Sequence, residues 1–146
     1  MPAKLNVLFL CTGNSCRSQM AEGWARAIHG ARLNPYSAGT HPGSLDPRAV
    51  LVMREAGVDI SGQRAKPLEA LKDIEFDGVV TVCDRANENC PVFPGTMKRL
   101  HRDFDDPPQL AANAASDLEA LGPYRRVRDE IRAYVATLPE SLTAPN

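Results

Sequence analysis

Long hydrophobic runs are missing from this chain. None approaches the ~20 residues of a membrane span, so a spanning segment is not expected. An excess of one charge is missing too. Lys and Arg number 17 against 18 Asp and Glu, a net charge of −1 that gives no reason to expect nucleic acid as a partner. The basic cluster Arg125, Arg126, Arg128 and Arg132 is interleaved with Asp129 and Glu130, which reads as a solvated, salt-bridged helix face. Aromatic residues are scarce at 5%, with a single tryptophan. Metal-ligand spacing is poor: Cys11 and Cys16 have four residues between them, but Cys83 and Cys90 have six, so no structural zinc is expected. His29, His41 and His101 show no metal-partner spacing and are assigned no role. Internal repeats and long linkers are also lacking.

The 146 residues suffice for one domain with a full core, and 43% hydrophobic with 24% charged residues reads as soluble and globular. The short apolar run after Lys4 ends in a motif with no small-residue cleavage site, so it reads as a core strand and not a signal peptide. A cytoplasmic protein is expected, in which four cysteines point to catalytic thiol chemistry and not to a disulfide framework.

Strands are expected at residues 5–10, 34–38, 77–82 and 97–102. The first helix carries Met20, Trp24 and Ile28 at four-residue spacing and stops at Gly30. The second has Asp46 as N-cap, Pro47 at its first position and Gly57 after its end, with Ala49, Val52, Met53 and Ala56 facing inward. A weaker helical stretch covers 67–71, and Ser116 with Glu119 suits the cap of a short helix. The last helix is expected from about Pro123, burying Tyr124, Val127, Ile131, Tyr134 or Val135, and Leu138. Residues 139–146 read as a frayed tail. Alternating strands and helices argue for a parallel α/β sheet covered on both faces.

The chemistry lies after the first strand, in Cys11-Thr12-Gly13-Asn14-Ser15-Cys16-Arg17-Ser18. Five residues between a Cys and an Arg suffice to wrap a loop around one tetrahedral oxyanion, with backbone N–H groups turned inward and a helix N-terminus behind them. Gly13 permits tight φ values and Asn14 tolerates left-handed geometry. Arg17 can clamp two oxygens of the anion. The same positive surroundings are expected to depress the Cys11 thiol and keep it an attacking thiolate. Cys16 reads as a packed bystander.

This loop resembles that of the low-molecular-weight protein tyrosine phosphatases and of the arsenate reductases built on the same fold. Further resemblance lies in Ser18-Gln19-Met20-Ala21-Glu22-Gly23-Trp24, Tyr36-Ser37-Ala38-Gly39-Thr40, Phe104-Asp105-Asp106-Pro107 and Arg125-Arg126-Val127-Arg128-Asp129-Glu130-Ile131, in family order. It implies a three-layer sandwich around a four-stranded parallel sheet, and Asp106, directly before proline, as the general acid. Cys83 follows a buried strand at the sheet edge where such folds place ligands, the same edge as Cys11. Cys83 and Cys90 fill the positions that complete a three-cysteine relay in the thioredoxin-coupled arsenate reductases. The resemblance therefore implies reduction of arsenate to arsenite for detoxification. It also implies no bound cofactor, reduced thioredoxin as electron donor, phosphate or sulfate as arsenate analogues, and a monomer.

Some of these reductases hold potassium at positions matching Asn14, Glu22, Ser37 and an aspartate. Here the last position carries Lys66, an ammonium that suits pairing with Glu22. A short helix at 84–88 with Asp84 as N-cap would have to open before Cys83 and Cys90 could bond, because helix to Cys90 sets their Cα atoms about 10 Å apart. Residues 84–94 are therefore expected to be more mobile when oxidised. Two rival readings are a tyrosine phosphatase and a non-catalytic redox-sensing or partner-binding module. Against the first, Asp106-Pro107-Pro108 lacks the aromatic that follows the acid in those phosphatases. Against the second, nucleophile, arginine, acid and cysteine pair are all intact.

Overall fold

The computed structural model describes residues 4–83 and 98–143. Four parallel strands form one sheet in the order β2-β1-β3-β4: β1 Leu5–Cys11, β2 Leu33–Gly39, β3 Gly78–Thr81 and β4 Lys98–His101. Helices α1 (Arg17–His29), α2 (Pro47–Glu55), α3 (Pro107–Ala111), α4 (Asp117–Val135) and α5 (Leu138–Thr143) surround it, with a 3-10 turn at Leu68–Leu71. Successive residues of β1 from Val7 to Cys11 and all of β3 are buried. Side chains alternate across a strand, so continuous burial means that both faces of the sheet are covered, as in the expected three-layer α/β sandwich.

From β1 the chain moves one way to β2 and then crosses to the other side of β1 to form β3. The connections leaving the carboxyl ends of β1 and β3 therefore diverge, and the crevice between them is where open α/β sheets take ligands. Register brings the pieces to one edge. Leu10 lies opposite Thr81. Beyond the strands, Val82 donates to the Leu10 carbonyl at 3.0 Å and Phe104 donates to the Val82 carbonyl at 3.3 Å.

The end signals for α2 hold: Asp46 accepts from the Arg48 amide, Pro47 opens the helix, and Gly57 follows with φ 87°. Of its expected inward residues Ala49, Val52 and Met53 are buried, but Ala56, at the cap beyond the last turn, is exposed. Three further readings of the helices change. Ile28 is exposed, and α1 buries Met20, Ala21, Trp24 and Ala25 instead. The last long helix starts at Asp117 and not near Pro123. Ser116 caps it by accepting from the Glu119 amide, and Pro123 sits within it. As the seventh residue of that helix, Pro123 lies past the four N–H groups that have no partner within the helix, so it leaves the Glu119 carbonyl without its helical donor. Finally, the stretch expected to be a frayed tail from 139 is mostly helix. Leu138, Pro139 and Leu142 of α5 are buried, and Leu142 fills the space that Gly78 leaves open. Residues 84–97, including Cys90 and the expected helix at 84–88, lie outside the described residues.

Candidate active site

The loop from Cys11 to Arg17 leaves β1 and closes on the first turn of α1. Its carbonyls are claimed from outside. Thr40 N–H donates to Cys11 O (3.1 Å), His41 to Thr12 O (2.8 Å), Gly43 to Gly13 O (2.9 Å) and Asp46 to Ser15 O (2.9 Å). The Asn14 carbonyl accepts from the Gln19 side-chain amide at 2.8 Å. In a trans peptide C=O and N–H point opposite ways, so carbonyls turned outward leave the amides turned inward. Convergent amides of this kind form an anion-binding concavity. The outer wrap of residues 40–46 has no motif of its own, and sequence reasoning assigned it no part in the site. Gly39 opens it: a Cβ there would lie 2.7 Å from the Thr12 carbonyl oxygen, which no substitution accommodates without moving the loop.

The left-handed residue of the loop is Asn14, at φ 49°, and not Gly13, which has no positive φ. Asn14 is fully buried and held on three sides. Its Nδ2 donates to Ser18 Oγ (2.8 Å), its Oδ1 accepts from the Lys66 amide (3.0 Å), and its carbonyl is bonded as above. These bonds offset a strained conformation that Asn tolerates better than other branched residues.

Cys11 is buried, with Ser18 Oγ 2.9 Å from its sulfur and the Asn14 amide donating to it at 3.2 Å. Burial nevertheless pushes the thiol above its ordinary value, opposed by the Ser18 hydroxyl, the Ser18 and Asn14 amides and the Arg17 charge. The expected depression is therefore not found. The guanidinium of Arg17 is engaged elsewhere, donating to the Phe104 carbonyl at 2.9 Å and standing 3.9 Å from Asp106. Desolvation of Cys11 outweighs the groups that oppose it. Cys16 is also buried, and its thiol is raised well above normal by burial and then by the charges of Asp46, Cys11 and Asp106.

Cys83 is buried beside the loop, its sulfur 3.4 Å from Thr12 Oγ1. Asp106 stands at the head of α3, before Pro107, but its carboxylate does not cap that helix. It faces Arg17 instead. The structure thus brings Cys11, Arg17, Cys83 and Asp106 to one sheet edge, while Cys90 lies outside the described residues.

Where the resemblance places potassium, two cationic side chains of the chain already face Glu22. Glu22 accepts from Ser37 Oγ at 2.8 Å and pairs with Arg26 at 2.8 Å and with Lys66 Nζ at 4.0 Å. Asn14 Oδ1 is already taken by the Lys66 amide. Two neighbouring cations and a committed oxygen leave no favourable place for a third positive charge. Among the described residues, no group of three or more His, Cys, Asp or Glu could hold a metal ion, and no helix is long and apolar enough to cross a membrane.

A strand-to-helix cysteine–arginine loop at the switch point of a parallel sheet, with an aspartate-proline facing it, defines a phosphatase-like oxyanion site. The chain belongs to the low molecular weight phosphotyrosine protein phosphatase family, whose pattern it matches over residues 6–145. It is similar to an arsenate reductase of Bacillus licheniformis, 44% identical over 139 residues covering 95% of this chain and 98% of that one. Among solved structures it resembles a thioredoxin-dependent arsenate reductase of Corynebacterium glutamicum, at TM-score 0.72 and 25% identity, covering 97% of this chain and 62% of that one. It also resembles a low molecular weight protein tyrosine phosphatase of T. tengcongensis, at TM-score 0.71 and 30% identity, covering 94% and 99%.

Proposed function

We infer that this protein is an arsenate reductase that draws its electrons from thioredoxin. The observation carrying the reading is a second buried thiol, Cys83, held against Thr12 at the rim of an oxyanion loop whose nucleophile is Cys11. A phosphatase of this fold has no use for it. The 44% identity to an arsenate reductase over nearly the whole chain supports the same reading.

In the proposed reaction, arsenate sits on the inward amides of residues 12–17, and phosphate or sulfate would occupy the same place as analogues. The Cys11 thiolate attacks arsenic, forming an S–As(V) bond, and Asp106 protonates the oxygen that departs as water. Arg17 swings from the Phe104 carbonyl to the oxyanion and neutralises the developing charge. The doubly charged substrate beside them would hold Arg17 in the cradle. Cys83 then attacks the Cys11 sulfur. The electron pair of the S–As bond leaves with arsenic as arsenite, and a Cys11–Cys83 disulfide remains. Cys90 attacks Cys83, freeing Cys11 as thiolate, and the Cys83–Cys90 disulfide is reduced by the dithiol of thioredoxin. One arsenate is reduced for each thioredoxin oxidised, and no bound cofactor is required. Such a protein would work as a cytoplasmic monomer in arsenic detoxification, without nucleic acid or membrane partners.

The phosphatase reading uses the same Cys11, Arg17 and Asp106 and is favoured by the likeness to the T. tengcongensis enzyme. The deciding experiment compares arsenate-dependent oxidation of reduced thioredoxin with hydrolysis of an aryl phosphate. Fast thioredoxin oxidation with slow hydrolysis is expected. Efficient phosphotyrosine hydrolysis without arsenate-dependent thioredoxin oxidation would overturn the reading.

A further inference from the structure

A part-buried hydrogen bond ties a distant helix to the wrap behind the oxyanion loop. Tyr124 of α4 is almost wholly buried, and its hydroxyl donates to Asp46 Oδ2 at 2.5 Å across 78 positions of sequence. Asp46 is committed on its other sides as well. Its Oδ1 accepts from the Arg48 amide at 2.9 Å, capping α2, and its own amide donates to the Ser15 carbonyl at 2.9 Å. Tyr124, the start of α2 and the outward-turned Ser15 peptide are therefore joined in one line. The phenol holds one carboxylate oxygen and the helix cap holds the other, so the Asp46 side chain is fixed from two sides. Burial and the neighbouring carboxylate both push the Tyr124 phenol upward, so it remains a proton donor at every working pH.

We propose that Tyr124 and Asp46 are positioning residues for the oxyanion loop, fixing the outward orientation of the Ser15 carbonyl and hence the inward aim of the amides that follow it. Neither residue touches the reacting atoms. Without the phenol, Asp46 is free to swing about its remaining bond, the wrap at 40–46 loosens from Ser15, and anion affinity falls. The proposal rests on the loop's being the anion site, and it holds whether the substrate is arsenate or an aryl phosphate.

The test therefore uses inorganic phosphate as an inert probe, with dissociation constants measured calorimetrically alongside melting temperatures. Tyr124→Phe keeps the ring and its packing. Its phosphate dissociation constant is expected to rise roughly fivefold, about the worth of one hydrogen bond. KM for the reacting anion should rise in parallel and kcat should change little. Asp46→Ser is the second variant: serine still caps α2 but is too short to reach Tyr124, so it should match Tyr124→Phe, and the double variant should cost no more than either alone. A lower melting temperature with unchanged phosphate affinity in both variants would make the pair merely structural and overturn the proposal. Unchanged affinity and unchanged melting would do the same. If Tyr124→Phe fails to fold, Asp46→Ser decides by the same criteria. Failure of thioredoxin oxidation in the wild-type protein, with phosphate binding intact, would count against the proposed reaction and not against this positioning role.

Discussion

Ser18 Oγ lies 2.9 Å from the Cys11 sulfur, and it also accepts from Asn14 Nδ2 at 2.8 Å. When Cys11 is a thiolate, the Ser18 hydroxyl is the donor of this pair, since the sulfur then carries no proton. Ser18 belongs to the first turn of α1, so nucleophile and activating donor are tied to opposite ends of one loop.

Ser18→Ala removes an interaction that lowers the Cys11 thiol, while the burial that raises it remains. The thiol must then rise further, and less thiolate is present at neutral pH. The acid limb of the pH–activity curve should therefore move to higher pH. Activity should recover in alkaline buffer. A pH profile superimposable on that of the wild type would exclude this role.

Cys11→Ser should abolish arsenate reduction, because a serine hydroxyl is a far weaker nucleophile than a thiolate. Arg17→Ala should lower kcat/KM by about 10²–10³-fold, comparable to loss of an oxyanion donor. Near-normal steady-state turnover by Cys11→Ser would sink the mechanism.

Cys83→Ser and Cys90→Ser should fold normally and fail in multiple turnover with thioredoxin. Both should keep slow aryl-phosphate hydrolysis, since that reaction stops short of the relay. Cys16→Ser should be tolerated in both assays. Coupled thioredoxin and aryl-phosphate assays on the three variants check the pattern; normal catalytic arsenate reduction by both relay variants contradicts it.

Lys66 stands 4.0 Å from Glu22, with only 14% of its side chain exposed. Melting temperature and activity should respond alike to potassium and sodium chloride at equal ionic strength. Lys66→Ala should cost about 1 kcal/mol by denaturant titration, at the low end for a weakened buried pair because Glu22 keeps Arg26 and Ser37. A specific rise in melting temperature with potassium in the wild type would refute the built-in cation.

Stability should fall in alkali. Cys11 and Cys16 have folded-state values above 9.0, their ordinary value, so the folded protein keeps these protons longer than the unfolded chain does. Their contribution is fully present below pH 9.0 and is lost as pH rises through the higher folded values. Urea midpoints measured across the alkaline range should decline, and Cys16→Ser should make the decline shallower.

The parts of the site legible in sequence were those carried by local chemistry. Cys11 and Arg17 share one loop, so their spacing alone defines the oxyanion wrap. Asp46, Pro47 and Gly57 mark the ends of α2 because caps act over a few residues. Ser116 and Glu119 likewise marked a real helix start, but the proline at 123 suggested a second start that continuous packing along α4 overrides. The terminal stretch looked like a tail because its composition is polar and proline-containing. Burial of Leu138, and of Leu142 against Gly78 of the sheet, gives it order that no local signal carries.

By itself, the sequence determined which groups are available for chemistry: a nucleophile, a guanidinium, further thiols and an aspartate before proline. It also determined the alternation of strand and helix that brings the ends of β1 and β3 together. Tertiary structure decided how those groups are presented. The wrap of residues 40–46 turns the loop carbonyls outward, and Arg17 rests on Phe104 and Asp106 while burial raises Cys11. Each of these depends on hydrogen bonds and desolvation between segments far apart in the chain. Residue order cannot encode them locally, because their energies exist only once the distant partners are in contact.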